Sequence, residues 1–304
     1  MASTSEAVAG VALADYATAL ADDALIASHR LTEWVARAPQ LEEDVALGNI
    51  ALDLLGQARM LLQYAGSLLV PPRTEDELAY LRDERAFRNV SLVERENGDF
   101  AVTMARLLLF STYQHELYGR LTASTDETLA AIAAKAVKEV AYHHDHARQW
   151  VLRLGDGTPT SRARMQAAVD AEWPWAGELF DASWLDPVLV ESGAAVDPGE
   201  IESATLVRVR AVVAQATLEV PPEGSAVSNG RDGRHTEALG HLLAQMQHLA
   251  RSHPGATWRR RSRPPPSTCG SPSPPCSTRS SRWSPSRTSA SCAASRWRTR
   301  RCGW

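Results

Sequence analysis

Hydrophobic residues recur at three- and four-residue intervals through most of the chain, the spacing that places them on one face of an α-helix. Alternating hydrophobic and polar runs of the β-strand type are nearly absent. Proline and glycine pairs divide the pattern into segments. The pattern predicts helices, the third of them with room for a break, over about 12–37, 41–69, 76–90, 99–122, 126–154, 160–181, 199–218 and 235–251. Four of these are long, which indicates an all-α, up-and-down bundle with shorter helices around it.

Start signals accompany three of the predicted helices. In each signal, a side chain that can cap a helix stands three residues before an acidic residue. The three signals are Thr74-x-x-Glu77, Ser124-x-x-Glu127 and Asp197-Pro198-x-Glu200.

The segment 41–69 is hydrophobic on nearly all sides, and a helix of this kind is normally central. Two polar rows at four-residue spacing interrupt the hydrophobic pattern, one in this segment and one in the segment from 126. Their members are Asn49, Asp53 and Gln57, and Lys135, Glu139 and His143. We expect both rows to point into the bundle core, which is where di-iron carboxylate proteins hold their metal.

The spacing of the polar residues argues against a di-iron site in this chain. Such a site takes one Glu from each of two helices and a Glu-x-x-His pair from each of two others. No Glu in the chain is followed by His three residues later; Glu139 and His143 are four apart, as are Asp53 and Gln57. We therefore predict no catalytic residue, no metal ligand and no cofactor here. We interpret the rows as a core network that fixes helix register, with Lys135 or an arginine neutralising a carboxylate.

One alternative keeps a metal in the chain. The His143–His146 tract holds three histidines, but consecutive helix residues point about 100° apart, so at most two could bind one ion. The favoured interpretation is one buried histidine and two in solvent. The alternative is a metal-dependent oxygenase with an irregular site built from Glu42 or Glu43, Asp53, Glu139 and His143. Motifs of serine hydrolases, P-loop proteins and zinc proteases are absent.

Composition changes sharply near residue 258. The last 46 residues, 259–304, hold 11 of the 32 basic residues, no acidic residue and all four Cys. The first 258 residues therefore carry 21 basic and 36 acidic residues, a charge of −15, which argues against nucleic acid as a partner. Without Cys, the same part has no disulfide and no Cys-based zinc site. No uninterrupted hydrophobic run reaches about 18 residues, and the N-terminus is not a secretory signal, so we expect no membrane association and a cytoplasmic location.

The segment 259–304 is rich in Ser, Arg and Pro and is predicted to be a disordered tail. At face value it is a basic arm that could bind RNA or membranes. The first 258 residues use two Lys and 19 Arg, however, which indicates a GC-rich gene, and a wrong reading frame in such a gene yields this tail composition. We interpret the tail as a frameshifted or junction read. The predicted organisation is a flexible N-terminus over 1–10, a helical domain over 11–258 and this tail.

Two long motifs, and three shorter ones, resemble a known family. The segments are Pro39 to Arg59, Arg82 to Glu94 with Asn97 to Phe100, Ala131 to His143, Ala195 to Pro198, and His235 to Gln247. Together they are similar to the structural-subunit family (PaaC) of the bacterial 1,2-phenylacetyl-CoA epoxidase. The resemblance covers residues 10–258 and departs from the family pattern in small ways, at Gly48 and Gln245.

The resemblance implies a ferritin-like fold and a non-catalytic role. In that family, the subunit pairs with a homologous catalytic subunit (PaaA-like) that carries the di-iron centre and binds the CoA thioester. The complex also includes a reductase and small accessory subunits, and it forms a ring 1,2-epoxide with O2 in aerobic phenylacetate degradation. The resemblance therefore implies a higher-order hetero-oligomer in which di-iron belongs to the partner.

Overall fold

The computed structural model describes residues 4–222, 226 and 228–256, with side chains from residue 10 onward. The predicted tail lies outside these residues. The predicted all-α class is confirmed, since the described part holds no strand beyond one isolated bridge between Asn229 and Arg234. The helices are α1 (Thr4–Thr32), α2 (Leu41–Leu68), α3 (Glu75–Tyr80), α4 (Ser91–Glu94), α5 (Phe100–Leu121), α6 (Glu127–Gly155), α7 (Pro159–Glu172), α8 (Pro187–Glu191), α9 (Glu202–Gln215), α10 (Glu237–Met246) and α11 (His248–Ser252). Four 3₁₀ helices cover Glu84–Ala86, Trp173–Phe180, Pro198–Ile201 and Gly230–Asp232.

Four long helices, α1, α2, α5 and α6, form the bundle. α1 packs along α2 and α5 packs along α6, and the two hairpins meet where α2 contacts α6. Cross-helix hydrogen bonds join Asp53 to His143 and Gln57 to Glu139, so α2 and α6 run antiparallel. α5 is therefore parallel to α2, and the long connection over 69–99 crosses from one hairpin to the other. This single crossover is the ferritin-like order of the four helices.

α5, and not α2, is the central helix of the bundle. Residues on all sides of α5 are buried, from Ala101 to Leu121. α2 is buried on one side, while its other side exposes Leu41, Val45 and Leu52. The prediction that segment 41–69 is central was therefore wrong in this respect, because its second hydrophobic face is turned outward.

α2 is also, among the described residues, the one helix long and hydrophobic enough for a membrane span. The search for uninterrupted hydrophobic runs missed this, since polar residues break the run while leaving the mean hydropathy at 1.3. Core helices of soluble proteins meet the same criterion, and 44% of the tested window is buried inside the bundle.

Helix ends follow the predicted capping chemistry in two of three places. The hydroxyl of Thr74 accepts from the backbone N–H of Glu77, and the Glu77 carboxylate accepts in return, a complete capping box. Asp197 caps the short 3₁₀ helix that precedes α9. At α6 the cap is Asp126 and not the predicted Ser124. The reason is that the Ser124 hydroxyl donates to a carbonyl of the α8–α9 connection.

Several helix boundaries in the structure differ from the predicted ones. The first three residues of the predicted flexible N-terminus, 1–10, lie outside the described range, and the backbone is helical from Thr4. The predicted helix over 76–90, which left room for a break, is α-helical only to Tyr80; beyond it, a 3₁₀ helix over Glu84–Ala86 lies in irregular backbone. The predicted helix over 160–181 becomes α7 and a 3₁₀ helix, since Pro174 interrupts the α-helical hydrogen bonds.

Candidate functional site: the seam between α2 and α6

The two predicted polar rows lie where α2 and α6 face each other. The exposure of their six members changes along each row: Asn49 and Lys135 are exposed, Asp53 and Glu139 are half-buried, and Gln57 and His143 are buried. The prediction that both rows point into the core was therefore wrong at their first residues. A four-residue step on an α-helix turns by about 40°, so each row rotates from the surface into the core.

The rows contact each other across the seam. The amide of Gln57 donates to Glu139 Oε2 at 3.0 Å. His143 Nε2 lies 3.2 Å from Asp53 Oδ2 and donates to it, because a carboxylate can only accept. Lys135 Nζ stands 3.5 Å from Glu139 Oε1, which confirms the predicted neutralisation of a carboxylate by Lys135. The network interpretation thus has the contacts it needs.

Nearer the start of α2, a further contact continues the seam. Glu43 Oε2 accepts from the indole Nε1 of Trp150 at 2.7 Å. His146 Nε2 lies 3.2 Å from the same oxygen. No sequence pattern pointed to Trp150, because an indole on a predicted helix is usually a packing residue. We call the set of Glu43, Asp53, Gln57, Glu139, His143, His146 and Trp150 the α2–α6 seam.

The seam holds neutral imidazoles and three buried atoms without a hydrogen bond, one of which is His146 Nε2, close to Glu43 but outside hydrogen-bond geometry. Burial lowers the pKa of His143, against the opposing effect of the Asp53 and Glu139 carboxylates. Burial likewise lowers the pKa of His146, against Glu43. With its Nε2 proton directed at Asp53, His143 leaves Nδ1 as an acceptor, and neither this atom nor Gln57 Oε1 has a hydrogen-bond partner.

The seam residues do not form one metal-binding group. The alternative site required Glu42 or Glu43 together with Asp53, Glu139 and His143. Glu42 is exposed, and each of the other three carboxylates contacts a different partner on α6 or α2. Within the described residues, no group of three or more His, Cys, Asp or Glu side chains could hold a metal ion. The donor set therefore does not fit a di-iron centre, which needs several carboxylates converging on both irons.

The His143–His146 tract does not act as a unit either. His143 faces Asp53, and His146 faces Glu43. His144 turns toward α5, where its Nδ1 lies 3.0 Å from the Thr112 hydroxyl. Burial and the nearby Arg208 lower the pKa of His144 to about 4. The three imidazoles have three separate neighbours.

A second polar cluster, not predicted from the sequence, surrounds the irregular segment 82–97. We call it the crossover network; its members are Asp22, Asp23, Arg82, Glu94, Glu178, Arg231 and His235. Asp22 pairs with the guanidinium of Arg82, and Asp23 pairs with Arg231 at 2.7 Å. Burial raises the pKa of Asp23 to about 6, although Arg231 favours its ionised form.

The carboxylates of the crossover network bind backbone as well as side chains. Glu178 accepts from the N–H groups of Ser91, at 2.7 Å, and of Gly230. Glu94 lies 2.7 Å from His235 Nδ1. Burial alone would lower the pKa of His235, but the Glu94 carboxylate outweighs it and raises that pKa. Irregular backbone is thereby satisfied inside the protein, as buried polar groups require.

One signal could have revealed this network. Asp22 and Asp23 are adjacent acidic residues in an alanine-rich helix whose other residues predict a buried face. Buried carboxylates need partners, so two of them imply cations or N–H groups brought from elsewhere in the chain. The motif over 82–97 and the loop with Arg231 supply those groups.

Comparison with known proteins agrees with this architecture. The family model described as phenylacetic acid catabolic protein (PaaA_PaaC) matches residues 2–258. The chain is similar to the PaaC subunit of the 1,2-phenylacetyl-CoA epoxidase of Escherichia coli (strain K12). The two are 48% identical over 246 residues, which cover 81% of this chain and 99% of that protein. The chain therefore belongs to the phenylacetic acid catabolic protein family, with a ferritin-like helical fold.

Proposed function

We propose that this chain is the non-catalytic structural subunit of a multicomponent phenylacetyl-CoA 1,2-epoxidase in aerobic phenylacetate degradation. In this proposal it pairs with a homologous catalytic subunit that holds the di-iron centre. A reductase and small accessory subunits complete the hetero-oligomer, and the whole complex is soluble and cytoplasmic. The relative from Escherichia coli, which is named as a subunit of such an epoxidase, supports membership of the complex.

The α2–α6 seam is the observation that carries the non-catalytic role. It occupies two of the four helices on which a ferritin-like enzyme would present metal ligands, yet its carboxylates already accept from an amide, an imidazole and an indole. Binding iron there would require these cross-helix hydrogen bonds to break. Asp53 and Gln57 are also four residues apart, one more than in a Glu-x-x-His pair, and Gln57 has a neutral amide where such a pair has imidazole. The seam thus supports a bundle whose register is fixed by hydrogen bonds.

A structural subunit of this kind works through its surface. By burying a large helical interface, it would hold the helices of the catalytic subunit in the geometry that the di-iron site needs. The charge of −15 over the first 258 residues supports a protein partner and not nucleic acid.

Co-expression of the full chain with the homologous catalytic subunit tests the proposal. We expect the two to co-purify, with iron in the complex and in the catalytic subunit but not in this chain alone. Epoxidation of phenylacetyl-CoA, with reductase and O2 supplied, should require both chains. About two irons bound to this chain alone, with O2-dependent turnover, would show that it is an oxygenase in its own right. Failure of the two chains to associate would remove the scaffold role.

A further inference from the structure

Trp150, near the end of α6, directs its indole proton at two groups that can accept protons. Its Nε1 donates to Glu43 Oε2 at 2.7 Å, and Glu43 is only 7% exposed. His146 Nε2 lies 3.2 Å from the same oxygen and makes no hydrogen bond. The indole N–H, the carboxylate and the imidazole are therefore in line, with little water around them.

Glu43 and His146 lack one proton between them. Burial lowers the pKa of His146, although Glu43 opposes this effect, so the imidazole is neutral. Since Nε2 makes no hydrogen bond to the carboxylate beside it, the single proton of the ring belongs on Nδ1, and Nε2 has a free lone pair. A proton added to either group would turn this contact into a charge-assisted hydrogen bond. The pair is thus suited to take up a proton released next to it.

A guanidinium covers the ring of Trp150. Arg153 Cζ lies 4.5 Å from the centre of the indole, where a cation is attracted by the electron-rich face of the ring. Removal of an electron would make the indole positively charged, and this attraction would become repulsion. Loss of the Nε1 proton restores a neutral ring. The environment of Trp150 therefore favours the loss of an electron and a proton together over the loss of an electron alone.

A row of aromatic rings joins Trp150 to a second tryptophan. Phe100 contacts Trp150 edge to face at 4.9 Å between ring centres, and Trp34 contacts Phe100 in the same way at 5.7 Å. Both tryptophans are half-buried, but Trp34 donates its indole proton to the hydroxyl of Thr103 at 3.0 Å. A hydroxyl is a far weaker base than a carboxylate. An electron removed at Trp34 would therefore be replaced from Trp150, where the proton can leave.

We propose that Trp150 is a redox-active tryptophan that gives up one electron and one proton together. A strong one-electron oxidant takes the electron from Trp150, or from Trp34 with Phe100 as the bridge, and is itself reduced by one electron. The Nε1–H bond breaks, and its proton is bound by Glu43 and shared with His146. The product is a neutral indolyl radical. A one-electron reductant such as ascorbate returns the electron, and the proton moves back to Nε1.

This activity goes beyond the proposed structural role, since every group in it belongs to this chain. Its use in a complex does rest on the proposed function. A subunit beside an oxygen-activating centre meets strong oxidants, and a tryptophan that is oxidised reversibly would consume them before other side chains are damaged.

The test generates a one-electron oxidant in a solution of the full-length chain. Laser excitation of a ruthenium(II) polypyridyl complex, with a cobalt(III) ammine as electron acceptor, gives ruthenium(III), and transient absorption distinguishes the neutral indolyl radical from the radical cation. Trp150→Phe removes the proposed site, and Trp34→Phe is its control, because both indoles contact Phe100. Glu43→Gln removes the proton acceptor and keeps an oxygen for the indole N–H, and Glu42→Gln, at an exposed neighbour, is its control. The remaining tryptophans occur in every variant and give a common background.

The wild-type chain should form a long-lived neutral radical, most of which is lost in Trp150→Phe and kept in Trp34→Phe. Glu43→Gln should show the radical cation in its place, because an amide does not take up the proton, while Glu42→Gln should match the wild type. Thermal melting checks that each variant is folded. If Trp150→Phe does not fold, Glu43→Gln carries the test, since it keeps the indole and its hydrogen bond.

Three results would overturn the assignment. An undiminished neutral radical in Trp150→Phe, or an equal loss in Trp34→Phe, would show that Trp150 is not where the oxidation settles. A neutral radical that forms in Glu43→Gln as fast as in the wild type would show that the carboxylate does not accept the proton. Equal behaviour of Glu42→Gln and Glu43→Gln would reduce the effect to overall charge. None of these results bears on pairing with the catalytic subunit, so the two proposals fail separately.

Discussion

The α2–α6 seam and the crossover network both place charged side chains inside the bundle, but they satisfy them differently. In the seam, single contacts join two regular helices, and Gln57 Oε1, His143 Nδ1 and His146 Nε2 make no hydrogen bond. Among the members of the crossover network, Arg231 Nε is the one such atom. In the crossover network, each carboxylate binds several donors, and many of these are backbone N–H groups of an irregular segment. The seam's helices would form without it, whereas the crossover holds only short helices, the longest of six residues, in an otherwise irregular backbone.

This difference separates a polar contact that adjusts a fold from one that makes it possible. Regular helices satisfy their own backbone, so the seam contributes side-chain pairing and register alone. Outside its two short helices, the segment 82–97 has irregular backbone that would otherwise be buried without hydrogen bonds. Its stability should therefore depend on each buried carboxylate and cation far more than the seam depends on its pairs.

The largest effect should follow from removing a cation of the crossover network. Arg231→Met leaves Asp23 buried without its ion pair and also removes donors to the carbonyls of Ala19 and Arg88. Breaking a buried pair in this way costs about 3–5 kcal/mol. Urea unfolding of the full-length chain measures the loss in the free energy of unfolding.

Arg120→Met is the matched control, because Arg120 pairs with Glu200 at the surface. It should cost less than about 1 kcal/mol. If Arg231→Met prevents folding, Arg231→Lys keeps the charge without the two-pronged geometry and should give an intermediate loss. Equal effects of Arg231→Met and Arg120→Met would contradict the structural role given to the network.

A smaller effect is expected from one-atom changes in the two regions. Glu178→Gln replaces one of two oxygens that accept from backbone N–H groups with an amide nitrogen that can only donate, so it should cost about 2–3 kcal/mol. Glu139→Gln makes the same change in the seam. The Glu139 side chain is 19% exposed, and water can replace its lost contact, so less than about 1 kcal/mol is expected. If urea unfolding showed a larger loss of stability for Glu139→Gln than for Glu178→Gln, the contrast between the seam and the crossover network would be wrong.

The sequence predicted regular helices well and the crossover poorly, for one physical reason. Helix periodicity and caps are local signals, and they located α5 and α6 to within a few residues. The segment after Tyr80 follows long-range contacts, since Asp22, Glu178 and Arg231 come from distant parts of the chain. No local pattern records those contacts, although the adjacent Asp22 and Asp23 were a signal that burial needed partners.

The candidate site shows the same limit. Spacing placed Asp53 and Gln57 on one helix and Glu139 and His143 on the other, and the structure brings the two pairs together. Spacing could not predict that Asn49 lies in solvent, because the exposure of a residue on α2 depends on where α2 meets its neighbours. Nor could it reveal that the second hydrophobic face of α2 is exposed, since the sequence pattern of a buried face and an interface is the same.

One substitution in the α2–α6 seam should leave the free energy of unfolding almost unchanged, unlike the substitutions in the crossover network. Gln57→Leu removes one hydrogen bond to Glu139 and also removes a buried oxygen without a partner. Glu139 keeps Lys135 and some contact with water. The free energy of unfolding should therefore change by less than about 1 kcal/mol in either direction. A loss of about 3 kcal/mol or more would show that the seam carries as much of the fold as the crossover network.

The smallest effects should appear as pH dependence of opposite sign. In the crossover network, the pKa of His235 is raised above its ordinary value of 6.5, because Glu94 outweighs burial. Its contribution to stability is fully present below pH 6.5 and is lost as pH rises through the raised pKa. Asp22 and the carbonyl of Phe87 also face this ring and favour its charged form. The stability difference between wild type and His235→Asn should shrink as pH rises above 6.5.

In the α2–α6 seam, the pH dependence of stability has the opposite sign. The pKa of His143 lies below 6.5, because burial outweighs Asp53 and Glu139, with His146 adding to the decrease. The neutral ring contributes stability above pH 6.5, and this is lost as pH falls, because the unfolded chain takes up the proton first. The difference between wild type and His143→Asn should therefore shrink toward acid pH. Urea unfolding across this range, with both variants in the same buffers, separates the two histidines from the general titration of carboxylates, which all chains share. Equal pH slopes in the two variants would mean that the seam and the crossover network hold their imidazoles in the same charge state.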